Sequence, residues 1–375
     1  MRILSIFFFL LSLSFANSFS PEYHQKQLEI LRNLDIDSAY ISDLVFVDNK
    51  EELKSLHSKS LIHSAQNYYE FIPIIRQVLH DEEVPEELMY LAIVESGLKS
   101  ASVSNAKAVG IWQFMEKTAT SLGLKVDLYV DERRDPFKSS FAATKYLKNL
   151  KDEFGKWYLA ILAYNCGNAK LRSAIKEAQS DDLSVLLDPE AKYLPLETRI
   201  FIKKILTLAF SAKNEDFLLK NDSYFVNYTR EHNFAKVDVP TSVSLKDLAK
   251  ISNISFEELK RYNPQFRYDF TPPNYDYYMY IPINKLLSYE KNYDPKKIAK
   301  VDTSIPKTKI YIVKQGDSLY SIAKKHKITV ADIRKYNKIK KDHLSIKQKL
   351  IIPLKKEEIK YASVENKKTS KLRSR

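Results

Sequence analysis

Two stretches in the C-terminal part of the chain repeat one pattern of apolar and aromatic residues, and this repeat limits the possible folds. The copies lie about 74 residues apart and end in Ile-Pro, at Ile281-Pro282 and at Ile352-Pro353. Each copy predicts a strand, two helices and a second strand over roughly 46 residues, a small α+β module of order βααβ. The matching pairs are Val237 and Tyr311, Leu245 and Leu319, Ala249 and Ala323, Ile254 and Ile328, Leu259 and Ile333, Tyr262 and Tyr336, and Asn263 and Asn337.

The chain in front of the repeats has the periodicity of helices from about residue 60 to 212. Phe141–Leu150 and Leu159–Tyr164 both carry apolar residues at spacings of three and four. Residues 213–236 are polar and aromatic, which is typical of a linker or a short edge element. The expected fold class is therefore a mainly α domain followed by two small α+β modules.

The first residues have the pattern of a secretory signal peptide. A positive start at Arg2 precedes the apolar run Ile3–Leu13, and small residues follow at Ser14 and Ala16. The run is shorter than the roughly 20 apolar residues that cross a bilayer. The alternative is a buried N-terminal helix. We expect cleavage after Ala16 and an exported, soluble mature protein with no transmembrane segment.

Charge and cysteine content narrow the function classes. The formal net charge is +13, which favours an anionic partner such as nucleic acid, a membrane surface or a cell-wall polymer. Export and the absence of a nucleic-acid-binding motif argue against nucleic acid. The single cysteine, Cys166, excludes an intramolecular disulfide and the common Cys/His zinc clusters. Glycine is rare, so each of the six is expected at a positive φ or a close backbone approach, at Gly97, Gly110, Gly123, Gly155, Gly167 and Gly316.

One carboxylate lies on the apolar face of a predicted helix. The segment Val84–Gly97 has proline near its first turn and glycine at its end, and its apolar stripe leads to Glu95. Burial and the negative end of the helix dipole should both raise the pKa of Glu95. A glutamic acid that stays protonated near neutral pH suits a general acid of glycoside cleavage. The alternative is a glutamate at the rim that reaches solvent or pairs with a cation.

Two further segments place polar side chains in apolar surroundings. Gly110–Met115 combines a flexible backbone position, the Gln113 amide and the apolar Met115, and Ala163–Gly167 ends a helical run with Tyr164 and Asn165. Sugar sites need apolar contact for pyranose faces and amides for acetamido groups. Taken singly, each segment is more often core packing or a helix cap.

Together these segments resemble the lytic murein transglycosylases of the goose-type lysozyme superfamily, in particular the membrane-bound type D group. The resemblance covers roughly residues 64–210 and extends into the repeats. Glu95-Ser96-Gly97 matches the catalytic glutamate and its serine, Gly110–Phe114 the glycine–hydrophobic–glutamine segment, and Ala163–Asn165 the Ala-Tyr-Asn triplet. Asp131–Pro136 and Leu194–Arg199 fit the type D group.

The repeats resemble LysM modules, which bind glycans that contain N-acetylglucosamine. Gln315–Ala323 matches the first turn and helix of that module, so the resemblance implies glycan binding at Gly316, Asp317, Ser318 and Leu319. Lys347-Gln348 stands where the family usually has Gly-Gln. The first copy has Ser242-Val243-Ser244 in place of Gly-Asp-Ser, which predicts a degenerate module kept for packing.

The resemblance implies a lysozyme-like catalytic domain in which one glutamate, Glu95, cleaves peptidoglycan strands without water and leaves 1,6-anhydromuramic ends. It also implies substrate binding at Ser96, Gln113, Met115, Tyr164, Asn165 and Glu197, with no metal or other cofactor. A periplasmic, wall-associated enzyme is expected, with peripheral association with an anionic surface as a further possibility. The alternatives are a hydrolytic N-acetylmuramidase on the same fold, which needs a second carboxylate, and a non-catalytic wall-binding protein. Asp131, Glu132 and Asp135 are expected to form structural ion pairs instead.

The predicted division of the chain follows from these assignments. It comprises a signal peptide (1–16), a helical extension (17–60), the catalytic domain (61–212), a linker (213–236), the degenerate module (237–284), a linker (285–308), the LysM module (309–354) and a basic disordered tail (355–375).

Overall fold

The computed structural model describes residues 21–45, 58–227, 234–295, 297–303, 308–337, 339 and 343–353. The predicted signal peptide and the predicted basic tail lie outside the described residues. The chain divides into two compact units, residues 1–301 and 302–375. The first unit contains the helical domain and the first module, and the second unit contains the second module.

The helical domain is built around one apolar core. Its helices are α1 (Pro21–Asn33), α2 (Tyr40–Val45), α3 (Ser58–Ala65), α4 (Ile72–Asp81), α5 (Met89–Ser96), α6 (Glu116–Ser121), α7 (Pro136–Phe154), α8 (Trp157–Cys166), α9 (Asn168–Ala178), α10 (Leu183–Leu186), α11 (Leu196–Ala212) and α12 (Glu215–Lys220). Short 3-10 turns lie at Gln66–Phe71, Glu86–Leu88 and Tyr224–Asn227. Within the described ranges, no helix is both long and apolar enough to cross a membrane.

Helix α8 is the centre of this core because nearly all of its residues are apolar. Its residues from Tyr158 to Ala163 are all buried. Helix α7 packs beside it, and both ends of α7 have a local cause. Asp135 accepts hydrogen bonds from the backbone N–H groups of Phe137 and Lys138, and Gly155 ends the helix at φ +84°. Leu31 and Leu34 bring the N-terminal segment into the same core.

The predicted helix Val84–Gly97 is divided in two. A 3-10 turn at Glu86–Leu88 precedes α5, and Gly97 closes α5 in the left-handed conformation, at φ +60°. The predicted apolar stripe is confirmed, since Val84, Leu88, Leu91 and Ala92 are all buried. Glu95 therefore lies in the last turn of α5, where the sequence placed it.

Both modules have the predicted order of strand, helix, helix and strand, so the expected fold class is confirmed. The first contains β1 (Phe234–Val239), α13 (Leu245–Ile251), α14 (Phe256–Tyr262) and β2 (Tyr277–Pro282), and the second contains β3 (Thr308–Ile312), α16 (Leu319–Lys325), α17 (Val330–Asn337) and β4 (Lys349–Pro353). In each, the two strands pair in antiparallel register, with Val237 opposite Met279 and Tyr311 opposite Leu350.

The asparagine that the repeat aligned has one structural role in both copies. The Asn263 side-chain oxygen accepts a hydrogen bond from the backbone N–H of Tyr280, at 2.6 Å. Asn337 accepts the same bond from the N–H of Ile351, also at 2.6 Å. Each asparagine thus ties the second helix of its module to the second strand, which explains why the repeat retains this residue.

Residues 283–292, most of which the sequence placed in a linker, add structure to the first module. A 3-10 turn at Ile283–Lys285 leads into helix α15, Leu286–Asn292. Tyr289 on this helix is buried and donates a hydrogen bond to the carbonyl of Asp238, at 3.1 Å. The charged composition of the segment hid its apolar contacts with the module core, made by Tyr289 and Leu286.

All six glycines have positive φ values, and Gly110 also has no space for a side chain. A Cβ atom at Gly110 would lie 1.8 Å from the carbonyl oxygen of Arg133, whereas one at Gly123 would meet no atom within 4 Å. The two positions have nearly the same backbone conformation, at φ +88° and +89°. Substituting alanine at each of the two positions therefore separates the effect of steric exclusion from that of backbone strain.

We predict that Gly110→Ala destabilises the protein more than Gly123→Ala does. Both variants place alanine at a positive φ, which costs about 1–2 kcal/mol. Gly110→Ala should lose roughly a further 1–3 kcal/mol because the backbone near Arg133 must shift. Thermal denaturation of the two variants measures the difference. Equal losses of stability would contradict the close approach between Gly110 and Arg133.

Candidate active site

Glu95 is held at the rim of the helical core by the end of α5. Its side chain is half-buried, and the three residues before Ile93 on the same helix are fully buried. Gly97 then turns the chain away, and a Cβ atom there would lie 2.5 Å from the Ser64 hydroxyl oxygen. The crowding at Ser64 and the positive φ both favour glycine directly after the Glu95-Ser96 pair.

The environment of Glu95 favours its neutral form. Burial raises the pKa of Glu95 to about 7, and the negative charge of Glu197 acts in the same direction. The predicted rise in pKa is confirmed. The sequence did not predict this effect of Glu197 on the pKa of Glu95. Glu197 lies about 100 residues further along the chain, on α11, and only the fold brings the two residues near each other.

A tight turn at Gly110–Phe114 faces this helix end. Val109 and Phe114 exchange two backbone hydrogen bonds, at 3.1 and 3.2 Å, which closes the turn. Gln113 adopts a left-handed conformation, at φ +51°, and its amide nitrogen donates to the carbonyl of Gly110, at 2.8 Å. A left-handed glutamine is uncommon, and the internal hydrogen bond fixes the direction of its side chain.

Two predicted site residues hold the turn by their hydroxyl groups. The Ser96 hydroxyl lies 2.7 Å from the carbonyl oxygen of Ile111, and the Tyr164 hydroxyl lies 2.6 Å from that of Trp112. Both carbonyls accept these bonds. The pKa of Tyr164 is raised well above its usual range by burial and by the nearby charge of Glu95. The structure therefore brings Glu95, Ser96, Gln113 and Tyr164 together.

The remaining predicted residues lie around this cluster. Asn165 follows Tyr164 on α8, and its side-chain oxygen accepts a hydrogen bond from the Thr198 hydroxyl, at 2.7 Å. That bond joins α8 to the first turn of α11, where the exposed Glu197 precedes Thr198. Met115 is 47% exposed and directly follows the Gly110–Phe114 turn, so its thioether is available for contact.

In the acidic motif before α7, Asp131 and Glu132 form the expected ion pairs, whereas Asp135 is a helix cap. Arg133 forms two hydrogen bonds with the buried Asp131 carboxylate, at 2.8 and 2.9 Å. Glu132 pairs with Lys138, at 2.6 Å, and Asp135 caps α7. Burial raises the pKa of Asp135 to about 6.

The unforeseen partners of this motif come from the first module. Tyr277 and Tyr278 on β2 donate hydrogen bonds to Glu132 and Asp135, at 2.9 and 2.5 Å. Arg267 reaches Asp131 at 3.1 Å. The alternating charges of the motif predicted ion pairs, but no local pattern identifies a partner that lies more than 130 residues away.

In the second module, the four candidate glycan-binding residues form one turn and the start of a helix. Asp317 accepts hydrogen bonds from the Lys314 N–H, at 2.7 Å, and from the Tyr311 hydroxyl, at 2.8 Å. Ser318 caps α16, whereas Leu319 is buried in the core of the module. Leu319 therefore presents only its backbone to a ligand. Tyr320, in the first turn of α16, is 70% exposed and is a further candidate for ligand contact.

The first module keeps the shape of this turn without its residues. Ser242 adopts φ +57° where the second module has Gly316 at φ +85°. Ser244 caps α13 as Ser318 caps α16. Val243, which stands in place of Asp317, is fully buried. The departure from Gly-Asp-Ser thus changes the surface of the turn and preserves its fold.

We predict that nuclear magnetic resonance titration of Glu95 gives a pKa near 7 in the wild-type protein. In Glu197→Gln the pKa of Glu95 should be lower, because one of the two causes of its elevation is removed. Glu116→Gln, which changes an exposed glutamate next to Met115, is the matched control and should leave the titration unchanged. An unaltered Glu95 titration in Glu197→Gln would show that burial alone raises this pKa.

Three domain families match the chain, one in the helical domain and one in each of the two modules. The transglycosylase SLT domain matches residues 73–186, which contain Glu95, the Gly110–Phe114 turn and the Tyr164-Asn165 pair. The LysM-like domain of lytic transglycosylase MltD matches residues 233–298, and the LysM domain matches residues 311–353. The MltD match includes α15, which belongs to the first module in the structure.

Two curated proteins match most of the chain. Membrane-bound lytic murein transglycosylase D of Escherichia coli strain K12 is 28% identical over 312 residues, which cover 81% of this chain and 68% of that protein. The protein of the same name from Escherichia coli O6:H1 gives the same values.

Solved structures match over a smaller part. The crystal structure of the 70 kDa soluble lytic transglycosylase of Escherichia coli has a TM-score of 0.32 and 22% identity, over 39% of this chain and 24% of that one. The lytic transglycosylase Slt of Pseudomonas aeruginosa has a TM-score of 0.32 and 19% identity, over 40% and 24%. The chain thus spans about a quarter of the length of these two proteins.

The domain matches, their order and the extent of the curated similarity agree with the arrangement of the site. The chain thus matches a transglycosylase SLT domain, the LysM-like domain of lytic transglycosylase MltD and a LysM domain in that order, and it is similar over most of its length to membrane-bound lytic murein transglycosylase D.

Proposed function

We propose that the chain is a peptidoglycan lytic transglycosylase that cleaves the β-1,4 bond from N-acetylmuramic acid to N-acetylglucosamine and leaves a 1,6-anhydromuramic end. The observation that carries this proposal is the position of Glu95, half-buried beside the Gly110–Phe114 turn with a pKa of about 7. At neutral pH a substantial fraction of Glu95 is protonated, so one residue can serve as an acid and afterwards as a base.

In the first step, Glu95 donates its proton to the glycosidic oxygen. The bond from C1 of the muramic acid to that oxygen breaks, and its electron pair leaves with the N-acetylglucosamine. Positive charge develops at C1, where the acetamido carbonyl of the same sugar and the Glu95 carboxylate stabilise it.

In the second step, the Glu95 carboxylate takes the proton of the muramic C6 hydroxyl. The C6 oxygen attacks C1 and closes the anhydro ring, and Glu95 is returned to its protonated form. Water is not consumed, and no cofactor takes part. The group that attacks C1 is already attached to the substrate, so the site must exclude water and does not have to bind it.

The other site residues divide into two groups by their hydrogen bonds. Ser96 and Tyr164 use their hydroxyl protons on the turn, so we assign to them the placement of Gln113. Gln113 and Asn165 each use one end of the amide within the protein. We assign the Gln113 oxygen and the Asn165 amino group to acetamido groups of the glycan.

Two residues at the edge of the site complete the assignment. Met115, which is exposed, is suited to contact the apolar face of a pyranose ring. Glu197 repels a negative charge on Glu95 and so favours the acid form before cleavage. We also assign to Glu197, which is exposed in the first turn of α11, the closing of one side of the substrate site.

The modules support a location on the cell wall. The second module resembles glycan-binding LysM domains and has an exposed turn at Gly316–Ser318, so we assign wall binding to it. A net charge of +13 fits an anionic wall or membrane surface. We infer a periplasmic, wall-associated enzyme that remodels or recycles peptidoglycan.

A hydrolytic N-acetylmuramidase is the second candidate, and one observation favours it. Such an enzyme needs a second carboxylate near the bond, and Glu197 acts electrostatically on Glu95. Asp131, Glu132 and Asp135 are buried and bound to partners, which does not suit them for this role. The choice between the two functions therefore depends on Glu197.

Mass spectrometry of the muropeptides released from purified sacculi tests the proposal. We predict 1,6-anhydromuramic ends from the wild-type protein, lighter by one water than the hydrolytic product. Glu95→Gln should lower turnover by about 10² to 10⁴ because the amide has no proton to donate at neutral pH. Glu116→Gln, which is exposed, should retain turnover.

Reducing muramic ends as the main product would reject the transglycosylase and support the hydrolase. In that case Glu197→Gln should abolish activity. If the proposal is correct, Glu197→Gln should retain the anhydro product. As the pH is raised, its activity should fall at a lower pH than that of the wild-type protein, because the lower pKa of Glu95 means that the acid form is lost earlier. Full activity of Glu95→Gln would show that the catalytic site does not lie at the end of α5.

Wall binding is predicted to depend on the second unit. In the inactive Glu95→Gln background, a chain shortened to residues 1–301 should lose retention on insoluble peptidoglycan. A chain of residues 1–353 should retain it in about 1 M salt, where charges are screened beyond about 3 Å. Retention that requires residues 354–375 and disappears in salt would assign binding to the basic tail. Equal retention of the 1–301 chain would assign it to the first unit.

A further inference from the structure

The buried Asp131 carboxylate lies between arginines from two parts of the chain. Arg133 approaches it from the helical domain with two hydrogen bonds, at 2.8 and 2.9 Å, and the Nη2 atom of Arg267 in the first module lies 3.1 Å from Oδ2. Arg134 is more distant, at 3.9 Å. Asp131 is 1% exposed, so its charge depends on these cations and not on water.

Arg133 connects this carboxylate to the Gly110–Phe114 turn. Its Nη1 atom donates to the carbonyl of Phe114, at 3.3 Å, and to that of Lys107, at 3.4 Å. The carbonyl of Arg133 occupies the space beside Gly110. The guanidinium therefore contacts the chain before and after Gln113, at Lys107 and at Phe114.

The first module is attached at several points, which fixes the position of Arg267. The N–H of Asp131 donates to the carbonyl of Gln265, at 2.9 Å, and the N–H of Arg267 donates to the carbonyl of Tyr129, at 2.9 Å. Val130 is fully buried in the apolar core of the module. The loop that presents Arg267 thus pairs with the chain on both sides of Val130.

We propose that Arg267 is a positioning residue for the Gly110–Phe114 turn, acting through Asp131 and Arg133. This proposal rests on the function proposed above. Arg267 occupies one carboxylate oxygen of Asp131 and limits the rotation of that group, and the carboxylate in turn aligns the Arg133 guanidinium with Phe114. Without Arg267, the Oδ2 atom of Asp131 keeps only its bond to Arg133, and the pair that supports the turn is held less rigidly.

The expected consequence is a lower rate of the chemical step. Displacing a positioned group by about 1 Å can reduce a rate about 100-fold. The turn is also held by Ser96 and Tyr164, so we expect an intermediate effect, about 10-fold in kcat for Arg267→Gln. KM should change less, because the substrate contacts remain.

A second arginine of the same module provides a matched control. Arg261 pairs with Glu70, at 2.5 Å, and donates to the carbonyl of Asn67, at 2.7 Å. Arg261→Gln therefore also removes a cation between the module and the helical domain, but this cation has no connection to Asp131. Its kcat should stay within about twofold of the wild-type value.

The two tryptophans give a readout that does not need activity. Trp112 belongs to the Gly110–Phe114 turn, and its indole N–H donates a hydrogen bond to the Ser140 hydroxyl, at 3.0 Å. Trp157 is at the start of α8 and serves as an internal reference. In Arg267→Gln the Trp112 indole resonance should shift or broaden, and that of Trp157 should not. Arg261→Gln should leave both unchanged.

The experiment uses the full chain and a short soluble glycan, so that wall binding does not enter. Arg267→Lys restores the charge without the planar fork, so its kcat should lie between those of wild type and Arg267→Gln. An unchanged kcat and Trp112 resonance in Arg267→Gln would overturn the proposal, as would equal losses in Arg261→Gln. If Arg267→Gln does not fold, Arg267→Lys decides, and a wild-type kcat and Trp112 resonance in that variant would then contradict the proposal.

The proposal and the proposed function fail in different ways. If the wild-type chain forms no anhydro product, the function fails. A Trp112 shift that is specific to Arg267→Gln would then still establish the link from the first module to the turn.

Discussion

Side-chain hydrogen bonds to the backbone of one short turn join separate elements of the candidate site. Carbonyl groups in a partly buried turn need partners, and those of Gly110–Phe114 find them on side chains that are far apart in sequence. Because Ser96 follows Glu95 directly, its bond to Ile111 joins the proposed acid to the turn. A shift of any one support would move the others. The remaining supports are Tyr164 to Trp112, Trp112 to Ser140 and Arg133 to Phe114.

The burial that suits Glu95 for acid catalysis lowers stability. A carboxyl group whose folded pKa, about 7, lies above the usual value of 4.5 resists ionisation in the folded state. This cost is absent at acidic pH and grows as the pH rises from about 4.5 to 7, so the contribution of Glu95 to stability falls over that range. Glu197 adds to the cost. The burial of the apolar core around α8 offsets this cost. A carboxyl group with so high a pKa is typical of a functional site and does not stabilise the fold.

The two modules show how surface residues decide what one small fold does. Both tie their second helix to their second strand through an asparagine, and both cap their first helix with serine. On β2, however, tyrosines turn outward toward α7, and the ring of Tyr280 stacks on Phe137 at 4.2 Å. The position that matches Tyr280 in the second module is Ile351, which is exposed. The first module is thus part of the catalytic unit, whereas the second belongs to a separate unit.

The sequence by itself determined the helical domain, the order of both modules, the helix cap at Gly97 and the apolar face that raises the pKa of Glu95. These features follow from periodicity and from local backbone preferences, which act over a few residues. Only the tertiary structure decided that Glu197 acts on Glu95, that Ser96 and Tyr164 bind the Gly110–Phe114 turn, and that the acidic motif at Asp131 binds the first module. Each of these depends on groups that are close in space and distant along the chain. The electrostatic energy and the hydrogen bonds depend on that separation in space, which no local pattern of residues specifies.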